Sequence, residues 1–257
     1  MARYTYGDSD LAAERLALVA ATFEPTTRAF LDRAAPRAPR LAVDLGCGPG
    51  STTRLLHEVT GAARTIGLDA SVAYVERARS LAPVDVTFEV HDATVQPLPF
   101  ATADAIYARL LLAHLRDPAA VVAGWASQLS EGGVALLDDL EAIATEHPAF
   151  RAYLDDVALA VIRREGGALL VGPALHEMPD PPGTERIHDE IATCAPPPAV
   201  TARIFAMNLG VLVERGETDA RPDLADELVA IVDGRAHAAP VAWSMRQVAF
   251  RRIGSAT

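Results

Sequence analysis

Cysteine is scarce in this chain: Cys47 and Cys194 are the only two among 257 residues. Two thiols cannot form a zinc cluster alone, and both read as small packing residues rather than redox groups. No metal is expected. No apolar run approaches the length of a membrane span, so no membrane partner is expected either. The N-terminus lacks a basic region followed by an apolar stretch, the mark of a secretory signal, and a cytoplasmic location is the expectation. Positive charge is in deficit. The formal net charge is −11, and there is no Lys/Arg run. Phosphate backbones attract basic surfaces, so nucleic acid is an unexpected partner. Internal repeats are absent, and nothing sets the oligomeric state. What is abundant is apolar content, 50% of residues, enough for a sizeable core in a single large domain.

The most informative stretch runs from Leu41 to Thr53, Leu-Ala-Val-Asp-Leu-Gly-Cys-Gly-Pro-Gly-Ser-Thr-Thr. An apolar run bounded by Gly and Pro reads as an interior strand. It carries Asp44 and then turns through Gly46, Gly48 and Gly50 into a helix from Ser51 to about Val59. Alternating glycines permit a tight turn and leave no Cβ between backbone and ligand. The helix start offers unpaired N–H groups. A dinucleotide loop has the form G-x-G-x-x-G. Here the third glycine arrives one position early, and Ser51 stands where that motif has glycine.

Thr65 to Asp69 reads as a second strand ending in an acid. An acid about 20 residues beyond a glycine loop can accept both ribose hydroxyls of an adenosine, in NAD or in other adenosyl cofactors. Val84 to Val90 alternates as a third strand, followed by His91-Asp92-Ala93 and Gln96-Pro97-Leu98-Pro99-Phe100. Asp104 to Arg109 reads as a fourth strand, and Leu129 to Asp138 holds a Gly132-Gly133 turn and a fifth. Together the D-x-G-x-G-x-G loop and these four later motifs, over residues 41–141, resemble class I S-adenosylmethionine-dependent methyltransferases. The resemblance implies a Rossmann-like, doubly wound, mainly parallel α/β sheet with an antiparallel C-terminal strand. It also implies S-adenosylmethionine as cofactor and a small-molecule acceptor. In that family the acid matched by Asp44 lies near the methionine end, with Gly46, Cys47, Gly48 and Gly50 forming the loop. Asp69 and Ala70 match the ribose position. Asp92 matches the acid that accepts from the adenine amino group, and Ala93 the N–H that meets a ring nitrogen. Arg109 matches a contact made there by the backbone. The Pro-Pro-Tyr motif of amino-methylating DNA enzymes and the Pro-Cys nucleophile of cytosine C5 enzymes are both absent. An NAD(P)-dependent oxidoreductase and a cofactor-binding non-enzymatic protein are the alternatives.

The chain reads as one domain, 1–257. Its parts are an N-terminal helical lid (1–35), a cofactor-binding core (36–141), an acceptor-side helical insertion (142–240) and a closing strand (241–253). In the lid, helices are expected over Asp10 to Ala21 and, started by Pro25, to about Ala35. In the insertion they are expected over Pro148 to Arg164, Ala199 to Arg215 and Leu224 to Asp233. Arg186 to Thr193 is the expected partner of the closing strand. Strand carboxyl ends bind ligands in such sheets, and Asp44, Asp69, Asp92 and Arg109 all fall there.

Methyl transfer from a sulfonium is an in-line displacement that chiefly needs alignment. A general base is needed only where the acceptor must lose a proton. His114, beyond the fourth strand, and Glu141, beyond the fifth, are the candidates to meet the acceptor. Tyr4 and Tyr6, ahead of the first helix, could cover the cofactor, with Tyr6 assigned to its site. Arg15 and Arg28 could meet a cofactor carboxylate but read more simply as surface charges. Asn208 lies in an apolar helix and needs a hydrogen-bond partner, expected from backbone.

Overall fold

The computed structural model describes residues 7–164, 166–219 and 221–254. Tyr4 and Tyr6 lie outside them. The strands are β1 (Ala42–Leu45), β2 (Thr65–Asp69), β3 (Val86–Val90), β4 (Ala103–Arg109), β5 (Leu129–Ala144), β6 (Thr184–Cys194) and β7 (Ala242–Arg252). They form one seven-stranded sheet in the order β3-β2-β1-β4-β5-β7-β6. The pairs from β3 across to β5 are parallel. Only β7 runs antiparallel, between β5 and β6. The chain therefore winds outward on one side of β1 and returns to start again at β4. The β1/β4 boundary is a switch point, where a doubly wound sheet opens a crevice at its strand ends.

Side-chain alternation explains why both faces are covered. Val43, Leu45, Ile106 and Ala108 pack toward one face, against Val122 and Trp125 of helix α4 (Pro118–Ser127) and Leu175 of α7 (Gly172–Glu177). Ala42, Ala105, Tyr107 and Leu136 pack toward the other. There they meet Phe30 and Leu31 of α1 (Asp10–Ala34) and Leu55 and Leu56 of α2 (Ser51–Thr60). Strands buried on both faces need near-continuous apolar runs, as Ala42 to Leu45 provides. Helix α3 (Val72–Arg79) covers β3 through Val75 and Ala78.

Where two helices were expected ahead of β1, the described residues form one. Pro25 lies inside α1, whose 25 residues run unbroken to Ala34. Proline removes one helical hydrogen bond, but Phe23, Thr27, Phe30 and Leu31 on either side of it are buried, and that packing holds the helix through the defect. Ser9 caps its start by accepting from the Ala12 N–H at 3.3 Å.

The insertion continues through α5 (Pro148–Tyr153), a π turn (Leu154–Ala158), α6 (Leu159–Arg164), α7, α8 (Pro198–Glu214) and α9 (Pro222–Val232). With the first half of α1 and Trp243 of β7 these bury a separate apolar cluster, centred on Phe23, Phe150, Tyr153, Phe205 and Leu228. The partner of β7 is β6, as expected. No helix among the described residues is long and apolar enough to cross a membrane.

Candidate active site

One cleft of about 1420 Å³ opens over the carboxyl ends of β1, β2 and β4 and extends under α1 and α8. Its floor at β1 is the glycine loop. Gly46 and Gly48 have φ of +66° and +51°, a region L side chains rarely occupy. A Cβ on Gly46 would sit 2.9 Å from Leu111 Cδ1. The Gly48 N–H donates to Asp69 Oδ2 at 2.8 Å, and the Ser71 N–H donates to Asp69 Oδ1 at 2.8 Å. Burial nevertheless raises the Asp69 carboxyl above its ordinary range, against the pull of those two donors. Asp69 and Ala70 both line the cleft, as does Cys47. Burial pushes the Cys47 thiol up, with Asp44 and Asp69 adding to it, so this sulfur stays protonated and inert.

Asp92 and Ala93 line the cleft beyond β3. Asp92 Oδ1 accepts from the Thr94 N–H at 2.9 Å and the Thr94 hydroxyl at 2.7 Å, and no bond to its Oδ2 is seen among the described residues. The Ala93 carbonyl accepts from the buried Trp125 Nε1–H at 2.8 Å, which pins this turn to α4. Nothing in the spacing around residue 92 signalled Trp125.

Two residues expected at the cofactor, Asp44 and Gly50, are not among those that line the cleft. Asp44 is buried off the cleft; its Oδ2 accepts from the Thr52 and Thr53 hydroxyls at 2.6 and 2.7 Å. Burial raises its carboxyl to about 6, although the two hydroxyls and Arg109 oppose that rise. Gly50 caps α2 with φ of +84°, and a Cβ there would lie 2.7 Å from the Phe88 ring. Its glycine serves helix–strand packing. Thr52, unsingled in the sequence, takes the place at the cleft wall.

Arg109 lines the cleft but is engaged, donating to Thr27 Oγ1 at 3.2 Å. Thr27 in turn donates to the fully buried Asp138 Oδ2 at 2.7 Å, which also accepts from the Tyr107 hydroxyl at 3.2 Å. This network ties α1 to β4 and β5.

His114 lines the cleft, mostly enclosed. Burial, with the Arg15 charge adding, lowers its imidazole to about 4. It is neutral at physiological pH. Arg15 is buried and also lines the cleft, unlike the surface charge the sequence suggests. Arg28 is a surface charge, paired with Glu24 and Glu58 away from the cleft.

Glu141, expected to face the acceptor, is not among the residues that line the cleft. It bulges out of the β5/β7 register between Leu140 and Ala142. Its carboxylate takes two bonds from Arg246, from Nε and Nη2, each 3.0 Å. A bidentate arginine pair holds the side chain outside the cleft. Among the described residues no cluster of His, Cys, Asp or Glu could hold a metal.

The far half of the cleft is apolar and aromatic: Phe23, Leu140, Ile143, Tyr153, Phe205 and Trp243. Tyr153 stacks on Phe205 at 4.1 Å between ring centroids. Asn208 lies there too, and its partner is the Tyr153 hydroxyl at 2.8 Å rather than backbone.

This arrangement fits an adenosyl cofactor: a glycine cradle without Cβ atoms, a half-buried acid at the β2 end and a second acid, Asp92, at the cleft wall beyond β3. Residues 42–133 match the family described as methyltransferase domain. Trans-aconitate 2-methyltransferase of Methylobacterium radiotolerans is 41% identical over 105 residues, covering 41% of this chain and 40% of that protein. Phosphoethanolamine N-methyltransferase 1 of Triticum aestivum is 31% identical over 133 residues, covering 50% of this chain and 26% of that protein. The chain thus spans less than half the length of these curated relatives. Among solved structures, a protein of Bacillus halodurans described as a methyltransferase superposes with a TM-score of 0.63 at 14% identity, covering 89% of this chain and all of that one. Coclaurine N-methyltransferase, bound to N-methylheliamine and S-adenosylhomocysteine, gives a TM-score of 0.55 at 14% identity, covering 89% and 72%. At such identities the structures speak to the fold alone, while the family match falls on the glycine loop, Asp69 and Asp92. Over residues 42–133, which carry those groups, the chain is similar to the methyltransferase domain family.

Proposed function

We propose that this protein transfers a methyl group from S-adenosylmethionine to a small organic acceptor. The observation that carries the reading is the continuity of the cleft. Polar groups at one end, Gly48, Asp69 and Asp92, lead without a break to the apolar wall of Tyr153, Phe205 and Trp243. Pockets for one ligand are roughly 300–1,000 Å³. A cleft of about 1420 Å³ accommodates a cofactor and an acceptor side by side.

In this reading Asp69 accepts from the ribose hydroxyls, with Ala70 beside it. Asp92 Oδ2 accepts from the adenine amino group, and the Ala93 N–H meets a ring nitrogen. The Gly46-Cys47-Gly48 backbone faces the methionine end. Asp44 acts from behind by fixing Thr52 and Thr53. When bound, the cofactor supplies a methyl group already activated for displacement. The protein's task is then alignment, worth ~7–11 kcal/mol in well-oriented systems. The lid (1–35) and the insertion (142–240) form the acceptor pocket and shield it from water. His114 meets the acceptor as a neutral imidazole, able to accept a hydrogen bond.

The named relatives act on acceptors of different chemistry, a tricarboxylate and a phosphorylated amino alcohol, which supports a small organic acceptor without selecting O, N or C. A dinucleotide fits less well, because Ser51 replaces the third glycine and Gly50 is spent on Phe88. Calorimetry with S-adenosylmethionine and NAD tests the reading: saturable binding of the first alone is expected. Binding of NAD alone overturns it. Mass spectrometry of a metabolite extract incubated with enzyme and cofactor then reads the acceptor by its gain of one methyl.

A further inference from the structure

Among the described residues, the apolar wall of the cleft carries a buried amide oxygen with no hydrogen-bond partner. Asn208 is only 6% exposed. Its Nδ2 donates to the Tyr153 hydroxyl at 2.8 Å, but among the described residues its Oδ1 is buried with no hydrogen-bond partner. Buried amide oxygens are nearly always paired, and an exception calls for an explanation. The placement supplies one. Ile204, Asn208, Val211 and Arg215 line the cleft from α8, at the spacing of a single helix face. Asn208 is thus central to the stripe that faces the cleft. The Tyr153 bond fixes the amide plane, and Tyr153 is itself held by stacking on Phe205. Phe205 and Phe23 each pack against Trp243 with ring centroids 5.7 Å apart. A rigid aromatic wall therefore surrounds a single oriented acceptor atom.

We infer that Asn208 is a specificity-determining residue, whose amide reads an O–H or N–H donor on a flat, neutral, largely apolar acceptor lying against Phe23, Tyr153, Phe205 and Trp243. The inference rests on the methyltransferase reading and narrows its substrate class. An apolar site with one committed polar group discriminates strongly against an analogue lacking the matching group, because that group is then left unpaired. An amide oxygen also disfavours a carboxylate oxygen set directly against it, so a polyanion would have to lie away from this wall, toward the arginines elsewhere in the cleft.

The test uses the full chain saturated with S-adenosylhomocysteine and three probes: 2-naphthol, its donor-free ether 2-methoxynaphthalene, and trans-aconitate. Calorimetry is expected to show 2-naphthol binding about tenfold more tightly than the ether, the difference of one good hydrogen bond, and trans-aconitate binding more weakly than both. Asn208→Leu is expected to abolish the preference while leaving S-adenosylhomocysteine affinity unchanged. Should circular dichroism show that variant unfolded, Asn208→Ala, which cannot overpack the wall, takes its place. Equal binding of the two naphthalenes to wild type, binding of neither, retention of the preference in the variant, or preference for trans-aconitate overturns the inference and leaves the methyltransferase reading standing. Failure of wild type to bind S-adenosylhomocysteine overturns both.

Discussion

Gly48 donates its backbone N–H to Asp69 Oδ2 across 2.8 Å, joining the loop after β1 to the acid that ends β2. The same carboxylate therefore shapes the cradle and faces the cleft. Asp69→Ala removes both roles. Hydrogen bonds to charged groups are worth ~1.5–3 kcal/mol each, so S-adenosylhomocysteine affinity is expected to fall at least tenfold with circular dichroism unchanged. Asp69→Asn keeps an oxygen for Gly48 and should lie between wild type and alanine. Calorimetry on the three proteins checks this order; equal affinities would remove Asp69 from the site.

Glu141 is expected to matter for stability and not for turnover. Arg246 and Glu141 expose only 11% and 16% of their side chains. Removing one charge of such an enclosed pair leaves the other poorly compensated. Asp189 still accepts from Arg246 Nη1 at 2.9 Å in the variant and limits the damage. Glu141→Gln should therefore cost about 1–2 kcal/mol, a Tm loss of roughly 2–8 °C in a domain of this size. The value of kcat should hold at temperatures where the variant is folded. A large fall in kcat there would return Glu141 to the chemistry.

The contrast between Asp69 and Glu141 shows what could be read without coordinates. Asp69, Asp92 and the loop glycines are local in sequence: each ends a strand whose apolar run is visible, and parallel pairing alone brings the ends together. Glu141 also follows a strand end, but β5 continues to Ala144, and pairing with β7 turned it toward Arg246, over a hundred residues away. The single helix through Pro25 was hidden for the same reason, since burial of Phe23 and Thr27 outweighs a local breaker. Asn208 was legible as a polar residue needing a partner. Its partner Tyr153 lies on another helix of the insertion, where no strand pattern constrains the path. Arg15 looks like a surface charge in a helix, until α8 and the β4 loop enclose it.

The contribution of Asp139 to stability should fall as pH rises from about 4 to 7, whereas the lowered imidazole of His114 contributes in the opposite sense up to about 6.5. The buried Asp139 carboxyl is raised from 3.8 to about 7. The folded state then binds the proton more tightly than the unfolded chain, so this contribution is greatest below the unfolded value and declines until the folded value is passed. Asp44, raised to about 6, adds to the same slope over a narrower range. Asp139→Asn keeps an oxygen for the Leu112 N–H, which Asp139 Oδ2 accepts at 3.0 Å in the native chain. The variant should match wild type near pH 4 and exceed it at pH 8 by on the order of 1–4 kcal/mol. Urea midpoints across that range check the prediction. A difference between variant and wild type that does not grow with pH would show that Asp139 is ionised without penalty.

His114 is expected to act by orientation more than by taking a proton. An efficient general base has a pKa near the working pH, whereas burial and the neighbouring Arg15 lower this imidazole to about 4. It is consequently unprotonated throughout the neutral range, ready to accept a hydrogen bond, but a weak competitor for the proton of a hydroxyl or amine. The sign of the effect fixes the profile. A limb due to His114 appears only as pH falls toward 4, and none is expected from it near 6.5. His114→Ala should raise KM and lower kcat less than about a hundredfold, below the range of many general-base contributions, ~10²–10⁴. Once an acceptor is identified, pH–rate profiles of wild type and variant between pH 4 and 9 decide the matter. A wild-type limb near 6.5 that disappears in the variant, together with a larger fall in kcat, would make His114 the base and show that acceptor binding restores its affinity for the proton.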